Sequence, residues 1–134
     1  SWNYVFGEAS LEKRVGVYSL VRFFPAFWGQ EESAQAYDKG LARSVAVLCH
    51  ETGHAFGMEH CTDYECVMNG SNSLDELDTQ FGELCPICLR KLQWNIGFEP
   101  VTRYERLRDF YRKEGVSSLA SWMDRRLARL RSKD

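Results

Sequence analysis

Three histidines and one glutamate stand at a spacing that suits metal-assisted hydrolysis. They are His50, Glu51, His54 and His60, in the run H-E-x-x-H-x-x-G-x-x-H. Residues four apart on a helix point only about 40° apart, so the imidazoles of His50 and His54 project from one face and can grip one ion. Glu51 lies at the edge of that face, within reach of a metal-activated water without being a ligand. Gly57 lets the chain turn sharply out of the helix, so that His60 can swing back as a third ligand. Three neutral nitrogens and an open fourth position are what catalytic zinc requires. Zinc brings the pKa of its water from about 15.7 to about 7. Glu51 is then placed to take that proton as general base and to return it to a leaving amine. Average composition would produce these five fixed positions in so short a chain at odds on the order of one in a hundred thousand. A mostly apolar helix carrying two histidines and a glutamate on one side also wastes stability unless those groups have partners.

Four of the five cysteines form a second constellation. Cys61 follows His60 directly, Cys66 lies five residues on, and Cys85-Pro86-Ile87-Cys88 supplies a C-x-x-C. Two close pairs separated by a loop match a closed, structural zinc site made of four cysteines. A thioredoxin-like redox pair at Cys85 and Cys88 is an alternative, but it wants a βαβ setting that the sequence does not offer. Two disulfides are the remaining option and belong to a secreted protein. Thiolate ligands favour a reducing compartment, so the expected location is cytoplasmic. Cys49, left over inside the apolar helix, reads as a buried inert thiol.

Elements must position these groups. Residues 15–24 read as a strand, with Val15, Val17, Val21 and Phe23 on one face and Gly16, Tyr18, Leu20 and Arg22 on the other, ended by Pro25. Residues 29–39 read as a polar loop. The central helix is expected over 41–56, with Asp38 as N-cap, a stripe of Leu41, Val45, Leu48, Thr52 and Ala55, and burial on most sides. Ser73 and Glu76 suggest a capping box, and a short helix with Leu89 and Leu92 is expected after Pro86. Thr102 and Glu105 suggest a second capping box, opening a helical hairpin. One helix carries Leu107 and Tyr111, Gly115 breaks it, and the other carries Leu119, Met123, Leu127 and Leu130.

The chain's 134 residues allow one ordinary domain, and 44% hydrophobic content suits a packed core. A net charge of −2 argues against a whole-domain nucleic-acid binder. No apolar run reaches the roughly 20 residues of a membrane span. The chain opens on Ser1 and enters the strand-like residues 2–6 at once, so it reads as starting part-way through a domain.

The run from His50 to Cys88 resembles the archaemetzincins. Its H-E-x-x-H-x-x-G-x-x-H, then C-x-x-x-x-C-x-M, then Cys85-Pro86-Ile87-Cys88-Leu89-Arg90-Lys91-Leu92-Gln93 are similar to theirs. These are metzincin-type metallopeptidases with a second zinc on four cysteines. The resemblance implies an α+β fold in which a twisted sheet packs on a central zinc-binding helix, with further helices at the C-terminus. It implies two zinc ions per chain, one catalytic on His50, His54 and His60 and one structural on Cys61, Cys66, Cys85 and Cys88. Glu51 is the implied base, and a peptide or protein is the implied substrate. Met68 matches the methionine of the Met-turn, the hydrophobic floor beneath the catalytic metal; without the resemblance it reads as a core residue. Residues 15–24 are similar in position to the edge strand that pairs with an extended peptide. The catalytic part is expected over 1–98 and a helical hairpin extension over 99–134. A metzincin domain has further strands and a backing helix before this point, for which this chain has no residues; their lack would expose apolar surface on the sheet and the helix.

Two other functions fit parts of the sequence. A zinc-stabilised interaction module with a silent histidine site would keep the cysteines, but it has no need of Glu51 and His60. Nucleic-acid binding could use Arg103, Arg106, Arg108, Arg112, Arg125, Arg126, Arg129 and Arg131. Glu105, Asp109 and Asp124 are interspersed among them, which marks a solvated face.

Overall fold

The structure, a computed structural model, describes residues 7–10, 12–80 and 82–132. The strand-like residues 2–6 lie outside the described ones. In chain order the elements are β1 (Gly7–Ser10), β2 (Val15–Tyr18), two 3-10 turns (Val21–Phe23 and Pro25–Trp28), α1 (Ala34–Ala55), α2 (Leu74–Thr79), α3 (Pro86–Ile96), α4 (Pro100–Lys113) and α5 (Ser117–Arg131). This is an α+β arrangement with a small sheet. The chain divides into two compact units, Ser1–Leu92 and Gln93–Asp134, with the boundary inside α3.

In the first unit β1 and β2 form an antiparallel hairpin, with Gly7 opposite Tyr18 and Ser10 opposite Val15. The hairpin lies on α1. The expected strand over 15–24 is half right, because it ends at Tyr18 and the chain then coils into the first 3-10 turn. That turn swings Phe23 into a core with Val47 of α1 and Leu77 of α2, edged by Leu20, Phe24, Ala46 and Leu74. Burying a side chain of this size stabilises by about 1.5–3 kcal/mol, more than a few further residues on an exposed sheet edge would contribute. Val17, by contrast, remains 78% exposed.

α1 starts seven residues earlier than the sequence pattern suggests. Ser33, in extended conformation, accepts a hydrogen bond from the Ala36 N–H, and Asp38 lies inside the helix rather than capping it. Ala34, Gln35 and Ala36 are good helix formers, so the helix extends as far as a cap allows. Its buried face is also not the expected one. Gly40, Ser44, Val47, Glu51 and Gly53 are buried, whereas Leu41, Val45 and Leu48 are each close to half exposed. The stripe at residues 40, 44, 47 and 51 faces α2, the first 3-10 turn and the hairpin. It was hidden from hydropathy because three of its four members, Gly40, Ser44 and Glu51, are not apolar side chains. Cys49 is exposed, so its reading as a buried thiol is corrected.

Arg43 of α1 grips Asp78 of α2 through two hydrogen bonds of 2.6 and 2.7 Å, and Lys39 adds a 2.6 Å ion pair. α2 opens on Ser73, whose hydroxyl accepts from the Glu76 N–H, while the Glu76 carboxylate accepts from the Asn72 N–H. The reciprocal arm of the capping box therefore closes one residue early.

The second unit holds the α4–α5 hairpin, packed on Tyr104, Ala120, Met123 and Leu127. Glu99 caps α4 through the Thr102 N–H and Pro100 fills the first turn, so the suggested Thr102 cap is displaced by three residues. Gly115, at φ +74°, ends α4 as expected. Arg112 pairs with Asp124 at 2.8 Å, Arg131 with Glu105, and Arg108 with Asp109. Among the described residues no helix is long and apolar enough to cross a membrane.

Candidate active site

α1 delivers His50, Glu51 and His54 from its last two turns. Phe56 and Gly57 then close it: the Gly57 N–H donates to the His54 carbonyl and the Met58 N–H to the Gly53 carbonyl. This is the double bond of a Schellman cap, and it needs Gly57 at its left-handed φ of +79°. The cap reverses the chain so that His60 returns to the helix. Ring centroids of His50, His54 and His60 lie 4.7, 5.1 and 4.9 Å apart, and one nitrogen from each falls within 4.8 Å of the others.

The proton inventory of the first two rings is set by their neighbours. His50 Nδ1 lies 2.8 Å from the Val67 carbonyl, and His54 Nδ1 lies 2.6 Å from the Met58 carbonyl. A carbonyl can only accept, so both Nδ1 atoms carry the proton and both Nε2 atoms of the neutral rings are bare. Those bare atoms face each other at 3.1 Å. Two lone pairs at this distance repel unless a cation lies against both. Zinc–nitrogen bonds of about 2.05 Å in tetrahedral array would separate two nitrogens by about 3.3 Å, close to what is seen. Burial holds His50 below the ordinary imidazole pKa, ahead of the opposing bond to Val67. Burial holds His60 low as well, and repulsion would add to it whenever the His54 ring is protonated. Both effects favour the neutral form that a metal needs. The donor set fits zinc.

Glu51 is buried, and the backbone of β1 closes over it; a Cβ added at Gly7 would come within 2.9 Å of Glu51 Cγ. Burial pushes the Glu51 carboxyl above its ordinary value, with Glu8 adding to the rise and His54 opposing it. Such a carboxylate is a better base than a solvated one.

Met68 is fully buried beneath α1. A Cβ at Gly53 would lie 2.3 Å from Met68 Sδ and 2.8 Å from Met58 Cε. The variable second x of H-E-x-x-H is therefore filled by a residue whose lack of side chain admits this floor. Spacing gave no sign of that requirement.

The four cysteines converge a few residues away. Cys61, Cys66, Cys85 and Cys88 are all buried, with their sulfurs within 4.8 Å of one another. Cys61 Sγ and Cys85 Sγ are 3.8 Å apart, far beyond a disulfide bond and equal to the edge of a tetrahedron with metal–sulfur bonds of about 2.3 Å. Backbone N–H groups of Met68 and Cys85 donate to Cys66 Sγ at 3.5 and 3.3 Å, and that of Cys88 to Cys85 Sγ at 3.4 Å. These donors stabilise thiolates. Burial pushes the Cys66 and Cys88 thiols up, with the charge of Cys66 adding to the rise at Cys88. At Cys61 burial also raises the thiol, but backbone groups of Asp63 and Tyr64 outweigh it and leave it lowered. Four clustered thiols resist ionising together unless a cation offsets their charge, and a divalent metal does so.

Asn69 was not singled out by the sequence. Its Nδ2 donates to the carbonyls of Cys61 (2.7 Å) and Tyr64 (2.9 Å), and its Oδ1 accepts from the Cys66 N–H (2.8 Å). Gln80 Nε2 in turn donates to the carbonyls of Asn69 and Gly70. An asparagine a few residues after a cysteine is an ordinary turn residue, so nothing in the sequence marks it.

Several known proteins are similar to this chain. The model of Peptidase family M54 matches residues 1–94. Archaemetzincin-2 of Pongo abelii is 40% identical over 129 residues, covering 80% of this chain and 36% of that protein. The crystal structure of an archaemetzincin from Methanopyrus kandleri superposes with a TM-score of 0.58 at 38% identity, over 72% of this chain and 48% of that one. A zinc-dependent peptidase from Methanocorpusculum labreanum gives 0.58 at 34% identity, over 66% and 45%. The chain thus spans about a third to a half of the length of the proteins it matches.

Proposed function

This chain belongs to the archaemetzincin family, peptidase family M54, and from that premise we propose that it is the catalytic part of a zinc-dependent peptidase. The observation that carries the reading is the pair of bare Nε2 atoms of His50 and His54 facing each other at 3.1 Å. His50, His54 and His60 would hold the catalytic zinc, and Cys61, Cys66, Cys85 and Cys88 a structural one, giving two ions per chain. When bound, the catalytic zinc supplies Lewis acidity toward water and a peptide carbonyl.

The chain's own groups do the rest. Val67 and Met58 carbonyls fix the tautomers of His50 and His54 and point their lone pairs inward. Glu51, raised by burial, takes the proton of the attacking water and delivers it to the departing amine. Gly7 of β1 excludes solvent from one side of Glu51. Met68 is the packed floor that keeps α1 from shifting under the histidines. A peptide would add as an extended strand along the hairpin, where among the described residues β1 and β2 pair only with each other. In this reading residues 1–98 are the catalytic part and 99–134 a helical extension. The arginines of that extension, several paired to acids, serve as a solvated face.

The test is cleavage of a quenched peptide library by zinc-loaded chain and by Glu51→Ala. The reading expects Glu51→Ala to keep its zinc and to lose roughly 100-fold or more of the rate, the contribution of a general base. Equal rates in the two proteins would refute Glu51 as base. No cleavage by either, with zinc on the cysteines alone, would favour a zinc-stabilised interaction module.

A further inference from the structure

Two of the three histidines are steered by carbonyls, and the third is not. Among the described residues no hydrogen bond reaches the His60 ring; its close neighbour is Gly70, where a Cβ would come 3.4 Å from His60 Nδ1. The placing of His60 therefore rests on the backbone to either side of it. On one side is the Schellman cap of α1. On the other is Cys61, whose N–H donates to the Met68 carbonyl at 2.8 Å and whose carbonyl accepts from Asn69 Nδ2.

We infer that the Asn69 carboxamide is the positioning group for His60, a role that rests on the reading of the three histidines as one ligand set. Three of the carboxamide's hydrogen-bonding capacities are spent on a single loop, residues 61–66. The carboxamide binds its first carbonyl, a carbonyl in its middle and its last amide. The orientation is unambiguous, because a flipped amide would set its NH2 against the Cys66 N–H. The Asn69 N–H also donates to the Cys66 carbonyl at 3.0 Å, closing the same loop from the main chain. Asn69 stands directly before Gly70, the surface on which the His60 ring rests, and Gln80 pins both residues through their carbonyls. One side chain thus fixes the backbone beside His60 while its own backbone fixes the ring's contact. Aspartate is no substitute, since it turns two donors into acceptors that face carbonyls. Among the described residues Asn69 makes no hydrogen bond to any of the three histidines, so whatever it does for a metal there it does through the backbone beside His60.

The experiment is a cobalt(II) titration of the 134-residue chain, using the thiolate-to-metal charge-transfer band to report the cysteine site and chelator competition to report affinity at the histidine site. Asn69→Asp preserves side-chain volume, and Asn69→Ala is the second variant. Both should bind cobalt at the histidine site about 10–100-fold more weakly, with the charge-transfer band retained. In a His60→Ala background the same substitutions should change the remaining affinity by less than about twofold, because a group acting through His60 has nothing left to act on. An equal loss with and without His60, unchanged affinity, or loss of the charge-transfer band in both variants would each overturn the inference. Wild-type chain that fills its cysteine site and binds no second cobalt would instead overturn the three-histidine reading, and the inference with it.

Discussion

Two imidazoles that each give their Nδ1 proton to a carbonyl have none left for the 3.1 Å space between their Nε2 atoms. That conclusion needs the folded geometry. The histidine and cysteine clusters were already legible in the sequence, because both residue types are scarce and their chemistry is narrow. Gly53 and Asn69 were not legible, since the first contributes only an absence and the second only bonds to backbone. Gly53 gives a sharp test. A methyl group there gains about 1 kcal/mol in helix propensity but collides with the buried Met68 and Met58, and overpacking of this kind costs about 1–3 kcal/mol. Gly53→Ala should therefore lower stability by about 1 kcal/mol in denaturant unfolding. A variant as stable as the parent, or more so, would mean that Met68 and Met58 are not packed against that turn.

At the scale of elements the sequence placed Leu89 of α3 and Met123 and Leu127 of α5 on buried faces, but it started α1 seven residues late and chose its face wrongly. α1 was found through its apolar residues, yet the side it buries is marked by Gly40, Ser44, Val47 and Glu51. Leu41, Val45 and Leu48 are the more hydrophobic stripe and lie close to half exposed, so spacing alone chose the wrong face. The strand over 15–24 failed at Ser19 because Phe23 gains more in the core with Val47 and Leu77 than it would on an edge. What joins α1 to α2 on the solvent side is charge. The Arg43 guanidinium beside Asp78 holds that carboxyl below its usual range, with burial opposing and Lys39 assisting. A carboxyl with a depressed folded-state pKa contributes stability that is complete above its unfolded value of about 3.9 and is lost as pH falls through the lower folded value. Asp78→Asn should cost about 1 kcal/mol at neutral pH. The gap between variant and parent should close as the pH drops well below about 3.9. A gap that persists in acid would show that the pair matters by packing rather than by charge.

At the scale of the whole molecule, the two centres share a stretch of chain, because His60 and Cys61 are adjacent. A metal on the cysteines would clamp residues 61–66 from one side as Asn69 holds them from the other. Cys85→Ser should then weaken zinc binding at the histidines, although Cys85 is no ligand there; competition with a chromophoric chelator reads this directly. Unchanged affinity would mean that the histidine site forms independently of its neighbour. The family model covers residues 1–94, a stretch that includes the whole motif run from His50 to Cys88. The helical hairpin beyond it was legible as helices from its periodicity, while its purpose was not, since solvated arginines and acids on paired helices carry no chemical signature.

The most direct test of the account is the zinc content of purified, desalted chain, compared with that of His54→Ala. Elemental analysis should find close to two zinc ions per parent chain and close to one per variant, with the remaining ion on the four cysteines. Equal contents in the two proteins would contradict the claim that the facing imidazoles of α1 hold a metal.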